Sequence, residues 1–207
     1  MTTSRTVSPL AILDDDTSFQ MALQDMFEAE GMSAVGFDSA EHFLQSEARH
    51  TAGCLIADLR MPGMSGLELQ VLLNAERCTI PIIFLSGRGD IPTTVRAMKE
   101  GAIDFLTKPV EKTVLFAAVD HALKKSQLVR RRAQDGEELM TRFLSLTPRE
   151  REVLPLLVSG LLNKQAAAEL GITEYTVQIH RGNIMRKMKA DSFAALVRMA
   201  GKLNPDE

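Results

Sequence analysis

Thiols are scarce in this chain. Its two cysteines, Cys54 and Cys78, sit in apolar or mixed surroundings without zinc-like spacing. That excludes a disulfide scaffold and a cysteine zinc site, and two reduced thiols in the cytoplasm are expected. Long apolar runs are missing as well: none approaches the ~18 residues a bilayer-crossing helix needs. The apolar run in "MTTSRTVSPLAIL" is too short, and too soon followed by aspartates, for a signal peptide. No membrane association is expected. Nor is there a dominant charge: 24 Lys+Arg against 27 Asp+Glu leave a net −3, so charge alone does not prove nucleic-acid binding. What is present, 45% apolar and 25% charged residues over 207 positions, describes a globular chain of one large or two ordinary domains. The charge is unevenly spread. Residues 1–123 carry 9 basic against 17 acidic side chains, 124–145 carry 6 against 3, and 146–207 carry 9 against 7. An acidic front and a mildly basic back suggest two domains with different partners.

From residue 9 to about 123, the short apolar runs "PLAIL", "MSAVGF", "GCLIADL", "PIIFLS" and "AIDFLT" alternate with amphipathic stretches such as "SFQMALQDMFEAEG" and "SGLELQVLLNAE". Runs of this length read as buried strands, and the stretches carry helical i, i+3, i+4 spacing. Gly31 and Gly101 stand where helices need a C-terminal stop. Five βα units predict a parallel five-stranded sheet covered by helices on both faces. In such a sheet, chemistry gathers where strand C-termini open into loops. Asp14, Asp15 and Asp16 follow the first run, Asp58 the third, Ser86 the fourth and Lys108 the fifth. Crowded carboxylates raise one another's pKa unless a cation sits among them. An all-oxygen donor set favours a hard ion, Mg²⁺. Beside such an ion a carboxylate can attack phosphorus to form an acyl phosphate, while Lys108 and Ser86 can hold phosphoryl oxygens. Asp16 is expected to cap the following helix.

The blocks "ILDDD", "IADLRMPGMSGLEL", "FLSGRGD" and "DFLTKP" resemble those of response-regulator receiver domains, of flavodoxin-like (CheY-like) fold. The resemblance implies Asp58 as phosphoacceptor, and Mg²⁺ held by Asp14, Asp15, Asp58 and the Arg60 carbonyl. It also implies Ser86 as switch hydroxyl, Lys108 as phosphate-pairing lysine, Phe105 as switch aromatic, a cis Lys108–Pro109 bond, and Gly66 in the tight turn beyond the site loop. Arg60 and Arg88 flank that site. Val95 and Lys99, one helical turn apart, are candidates for a dimer interface. "DDDTS" also fits the Asp-x-Asp motif of haloacid-dehalogenase-type phosphatases, in which Asp14 would be nucleophile and Asp16 acid.

Between 111 and 145 the sequence fits a helix running to about Gly136, or a charged tether. From 146 to 201 four helices are expected. Thr147, Pro148 and Glu150 open the first with a capping box, Gly160 and Gly171 mark stops, and Thr173 and Asp191 cap the last two. A short helix, a turn and a longer helix is helix-turn-helix grammar. On the longer helix Val177, Ile184 and Met188 suit the core, Ile179 is partly covered, and Tyr175 and Gln178 point out. His180 is assigned to a structural hydrogen bond. "LTPREREVLPLLVSGLLNKQAAAELGITEYTVQIHRGNIMRKMKADSFAALVRMA" resembles LuxR (GerE-type) DNA-binding domains, and the whole chain resembles the NarL/FixJ family. That implies DNA contacts from Asn163, Lys164, Thr176, Val177, Gln178, Arg181 and Lys187. Gly182 departs from good helix practice, costing about 1 kcal/mol against alanine.

The expected organisation is a receiver at 7–123, a linker at 124–145 extending the last receiver helix, and an all-α domain at 146–203. The expected function is a phosphorylation-activated transcriptional regulator of a two-component system. It is not an enzyme beyond its own phosphoryl transfer and slow dephosphorylation. Its expected partners are a sensor histidine kinase, double-stranded promoter DNA, a second copy of itself once phosphorylated, and RNA polymerase. A phosphorylation-dependent protein-docking module is the alternative.

Overall fold

The computed structural model describes residues 8–87 and 91–203; Arg88 lies outside them. The chain divides into two compact units, Met1–Arg130 and Arg131–Glu207.

In the first unit, strands β1 (Leu10–Leu13), β2 (Ala34–Phe37), β3 (Cys54–Asp58), β4 (Ile82–Ser86) and β5 (Asp104–Thr107) form one parallel sheet of order β2-β1-β3-β4-β5. Period-two alternation sends Leu10, Ile12, Cys54, Ile56, Ile83 and Leu85 into one core and Ala11, Leu13, Leu55, Ala57 and Phe84 into the other. Helices α1 (Thr17–Glu28) and α6 (Lys112–Leu144) supply Leu23, Phe27, Leu115 and Val119 to the first core. Helices α2 (Ala40–Gln45), α3 (Ala48–Thr51), α4 (Gly66–Ala75) and α5 (Ile91–Lys99) lie along the intervening connections, and α2, α4 and α5 supply Phe43, Leu69, Leu73 and Ala97 to the second core. The order reverses at β1, whose neighbours are β2 and β3, so the crevice beyond β1 and β3 is where this topology places a site.

Several local outcomes differ from the sequence reading. The amphipathic stretch after Phe37 breaks into two short helices at Ser46, whose backbone is extended and whose hydroxyl donates to the Phe43 carbonyl at 2.7 Å. Helix α6 continues through Gly136 to Leu144, so neither a tether nor a break there is found. The left-handed turn beyond β3 belongs to Gly63, with φ +76°. Gly66 instead opens α4, where a Cβ would stand 2.4 Å from the Asp58 carbonyl oxygen and 2.9 Å from Phe84.

Arg130 closes the first unit. Its guanidinium donates to the carbonyls of His50, Thr51 and Ala52 at 3.2, 3.0 and 2.7 Å and to the Ser8 hydroxyl at 3.1 Å. It thereby satisfies the open C-terminal end of α3.

In the second unit, α7 (Pro148–Val158), α8 (Asn163–Leu170), α9 (Glu174–Lys187) and α10 (Phe193–Leu203) enclose Val153, Leu157, Ala166, Val177, Ile184, Met188 and Leu196. The Thr147–Glu150 capping box and the Thr173 cap form, and Gly160 and Gly171 take positive φ. The hydroxyl that accepts the Ala195 N–H at the start of α10 is that of Ser192, not the Asp191 carboxylate. No helix among the described residues is long and apolar enough to cross a membrane.

Candidate functional site

At the C-terminal edge of the sheet, Asp14 follows β1, Asp58 ends β3, Ser86 ends β4 and Lys108 follows β5. The Lys108 ammonium joins three of those positions, with Nζ donating to Asp14 Oδ2 at 2.5 Å and to Asp58 Oδ2 at 2.9 Å. Asp14, Asp15 and Asp58 each offer a carboxylate oxygen within 4.8 Å of the others. The Arg60 N–H donates to Asp58 Oδ1 at 3.2 Å, folding the post-strand loop back over that carboxylate. Ser86 is buried, and its carbonyl accepts from the Lys108 N–H at 2.9 Å, so the fourth and fifth strand ends are tied at the pocket. Phe105 is half-buried, 6.4 Å centroid to centroid from Phe84, and the Lys108–Pro109 bond is cis.

Burial raises the Asp14 carboxyl above its ordinary value, against the hydrogen bonds it accepts from Lys108 and the Asp16 N–H. Burial also works against the Lys108 charge, yet its bonds to Asp14 and Asp58 outweigh it and hold the ammonium above its usual value. The pocket therefore holds one ammonium between two carboxylates, each of which also accepts a backbone N–H. Asp16 stands outside it: its carboxylate accepts the Ser18 and Phe19 N–H groups at 3.0 and 3.1 Å as the α1 cap. That leaves the phosphatase motif without its acid.

The second unit presents α8, a turn at Gly171 with φ +64°, and the longer α9. Lys164 and Gln178 are exposed on it, and Thr176 is half-buried, with its hydroxyl 2.8 Å from that of Thr173.

Residues 10–120 match the response regulator receiver domain family, and residues 144–200 match the luxR family of bacterial regulatory proteins. The chain is a response regulator. It is 44% identical over 202 residues to Nodulation protein W of Bradyrhizobium diazoefficiens, covering 98% of this chain and 89% of that one. It is 47% identical over 196 residues to the response regulator protein TodT of Pseudomonas putida, covering 95% and 86%. A solved low-resolution structure of the response regulator StyR shares 45% identity, covers 94% of this chain and 99% of its own, and superposes with a TM-score of 0.86. The regulator thus joins a receiver to a LuxR-type DNA-binding domain, the build of two-component transcriptional regulators.

Within this regulator the expected DNA set divides. Val177 is 0% exposed and packs in the core, so it does not face DNA. Lys187 donates to the buried Glu150 Oε2 at 2.6 Å, tying α9 to α7. Arg181 folds back over the Phe193 ring, 4.6 Å from its centroid, with a long 3.4 Å bond to Asn163 Oδ1, so those two candidates meet each other. His180, expected to make a structural hydrogen bond, has no partner for its buried Nδ1 among the described residues. Ile179, read as partly covered, is 47% exposed and Tyr175 is 72% exposed. The signal for Ile179 was in the spacing: residues two apart on a helix do not share a face, and Val177 occupies the inner one.

Proposed function

We propose that the regulator accepts a phosphoryl group on Asp58 from a sensor histidine kinase, and that phosphorylation promotes dimerisation and binding to promoter DNA. The single observation that supports this most is the Lys108 ammonium bridging Asp14 and Asp58. It places a compact cation beside a half-buried carboxylate at a strand end, the charge arrangement that phosphoryl transfer needs. The Asp14, Asp15 and Asp58 oxygens fit a hard divalent cation, and Mg²⁺ held there, with the Arg60 carbonyl, would neutralise charge on the transferring phosphoryl group. Asp58 supplies the attacking carboxylate oxygen. Lys108 moves from Asp58 to a phosphoryl oxygen, Ser86 donates its hydroxyl to another, and Phe105 turns into the space Ser86 leaves. Exposed Val95 and Lys99 on α5 offer the surface for a second copy.

On the DNA side, Lys164 holds phosphate, while Gln178 reads base edges and Ile179 offers a methyl-sized apolar contact to thymine. Thr176 lies at the groove edge, and bound dimers recruit RNA polymerase. The receiver spans 7–123, the linker 124–145 and the DNA-binding domain 146–203.

The test is incubation with acetyl phosphate and Mg²⁺, read on a phosphate-affinity gel. Wild type is expected to shift and Asp58→Asn to lose the shift; equal uptake by both would sink the assignment.

A further inference from the structure

Lys108 has a third neighbour. Its Nζ lies 4.2 Å from the centroid of the Phe19 ring, with Asp14 and Asp58 on its other sides. We propose that Phe19 is a positioning residue for phosphoryl transfer: its ring face holds the Lys108 ammonium in the pocket while that ammonium passes from Asp58 to the incoming phosphoryl group. This rests on the reading of Asp58 as acceptor.

The local structure explains why the ring sits there. Phe19 belongs to the first turn of α1, and its own N–H is bound by the Asp16 cap at 3.1 Å. Side chains on a helix tilt toward its N-terminus, and the N-terminus of α1 adjoins the end of β1, where the acidic pocket opens. The cap therefore fixes both the start of the helix and the direction of the ring.

The ring suits a moving cation. The hydrogen bonds to Asp14 and Asp58 are directional. The attraction of an ammonium to the negative face of a ring is broad and survives a shift of an ångström or so. In transfer from acetyl phosphate, a carboxylate oxygen of Asp58 forms the new P–O bond. The bond from phosphorus to the acetate oxygen breaks, and acetate leaves with that electron pair. No proton or redox partner is needed. Throughout, the ammonium has to leave the Asp58 oxygen without leaving the pocket. Asp14 alone would hold it from one side, and the ring supplies the other and screens it from water.

The experiment compares wild type, Phe19→Leu and Phe19→Tyr. Leucine keeps apolar bulk and helix propensity but has no ring face, whereas tyrosine keeps the face. The first readout is the NMR shift of the Lys108 ε-methylene protons, assigned through Lys108→Met. Ring current is expected to move them upfield in wild type and in Phe19→Tyr, and Phe19→Leu to return them to the usual lysine position. The second readout is the rate of phosphorylation by acetyl phosphate with Mg²⁺. Phe19→Leu is expected to slow it by about 3- to 10-fold, within the range set by cation–π attraction, and Phe19→Tyr to stay within about twofold. In a Lys108→Met background, Phe19→Leu is expected to add nothing. Should Phe19→Leu fail to fold, Phe19→Met carries the same comparison.

An unshifted Lys108 signal in wild type overturns the proposal. So does a folded leucine variant that is phosphorylated at the wild-type rate, or one whose loss persists undiminished without Lys108. A wild type that shows the Phe19-dependent shift but takes up no phosphoryl group upholds the contact and overturns Asp58 as acceptor.

Discussion

Glu150 has two tasks at one carboxylate. Its Oε2 accepts the Thr147 N–H at 2.8 Å, completing the α7 cap, and the Lys187 ammonium at 2.6 Å from the last turn of α9. Burial alone would raise its pKa; the bonds from Lys187 and Thr147 prevail and hold it below the ordinary 4.5. A carboxyl whose folded-state pKa is depressed adds stability that is present in full above its unfolded value and disappears as pH falls through the folded value. Glu150→Gln retains an acceptor for the cap but loses the charge pair. It is expected to cost about 1–3 kcal/mol at neutral pH, with the gap to wild type closing on acidification below the ordinary carboxyl range. Urea unfolding followed by far-UV circular dichroism across that range reads it directly, as the chain has no tryptophan and one tyrosine. A gap that is constant with pH would show that the charge pair is not the cause. The same pair bears on Lys187, which the family resemblance implies as a DNA contact: its ammonium is engaged by a buried partner 37 residues away in sequence, which nothing local to α9 reveals.

Among elements, α1 and β2 interlock closely. The Gln20 side chain is buried and donates to the Phe37 carbonyl at 2.6 Å and, at 3.4 Å, to that of Asp14. It fills the space above Gly36, where a Cβ would lie 2.3 Å from its Oε1. Gly36 is thus glycine because the amide of another element occupies its side-chain position. Gly36→Ala is expected to destabilise the first unit by about 1–3 kcal/mol, the usual cost of overpacking. Gly36→Ala with Gln20→Ala is expected to recover part of that loss. Thermal melts of the two variants check this, and a double variant no better than the single one would refute the interlock. A glycine inside a strand does signal close approach of another backbone or side chain, but nothing in the sequence names the intruder. The strands and main helices were legible because each carries its own periodicity and caps. The break at Ser46, the uninterrupted α6 and the Ser192 cap were not. Each is a choice between near-equal local options that tertiary packing decides.

For the whole molecule, the two units carry different electrostatics, and that difference sets how DNA binding should respond to salt. An acidic front repels phosphate, so DNA binding is expected to draw on the cations of the second unit. Each phosphate neutralised steepens the fall of log K with log salt by about 0.9. Lys164→Ala is therefore expected to flatten the slope by about one contact, while Lys187→Ala, already paired to Glu150, is expected to leave the slope unchanged and lower stability. Fluorescence anisotropy on duplex DNA over a salt series distinguishes them. The acidic pocket was readable from sequence almost whole, because its members come from strand ends whose positions the fold class dictates. The DNA face was readable only in outline. Which side of α9 turns outward depends on Val177, Ile184 and Met188 together seating in a core that the chain's periodicity marks only loosely.

The Arg130 guanidinium has a practical bearing on where the receiver can be cut. A fragment ending at residue 123, at the expected limit of that domain, would strip the carbonyls of His50, Thr51 and Ala52 of the cation that now caps them. A fragment carried a few residues beyond Arg130 would keep the cap. An isolated receiver of the shorter length is thus a poor stand-in for the intact first unit, and instability observed in it would belong to the truncation.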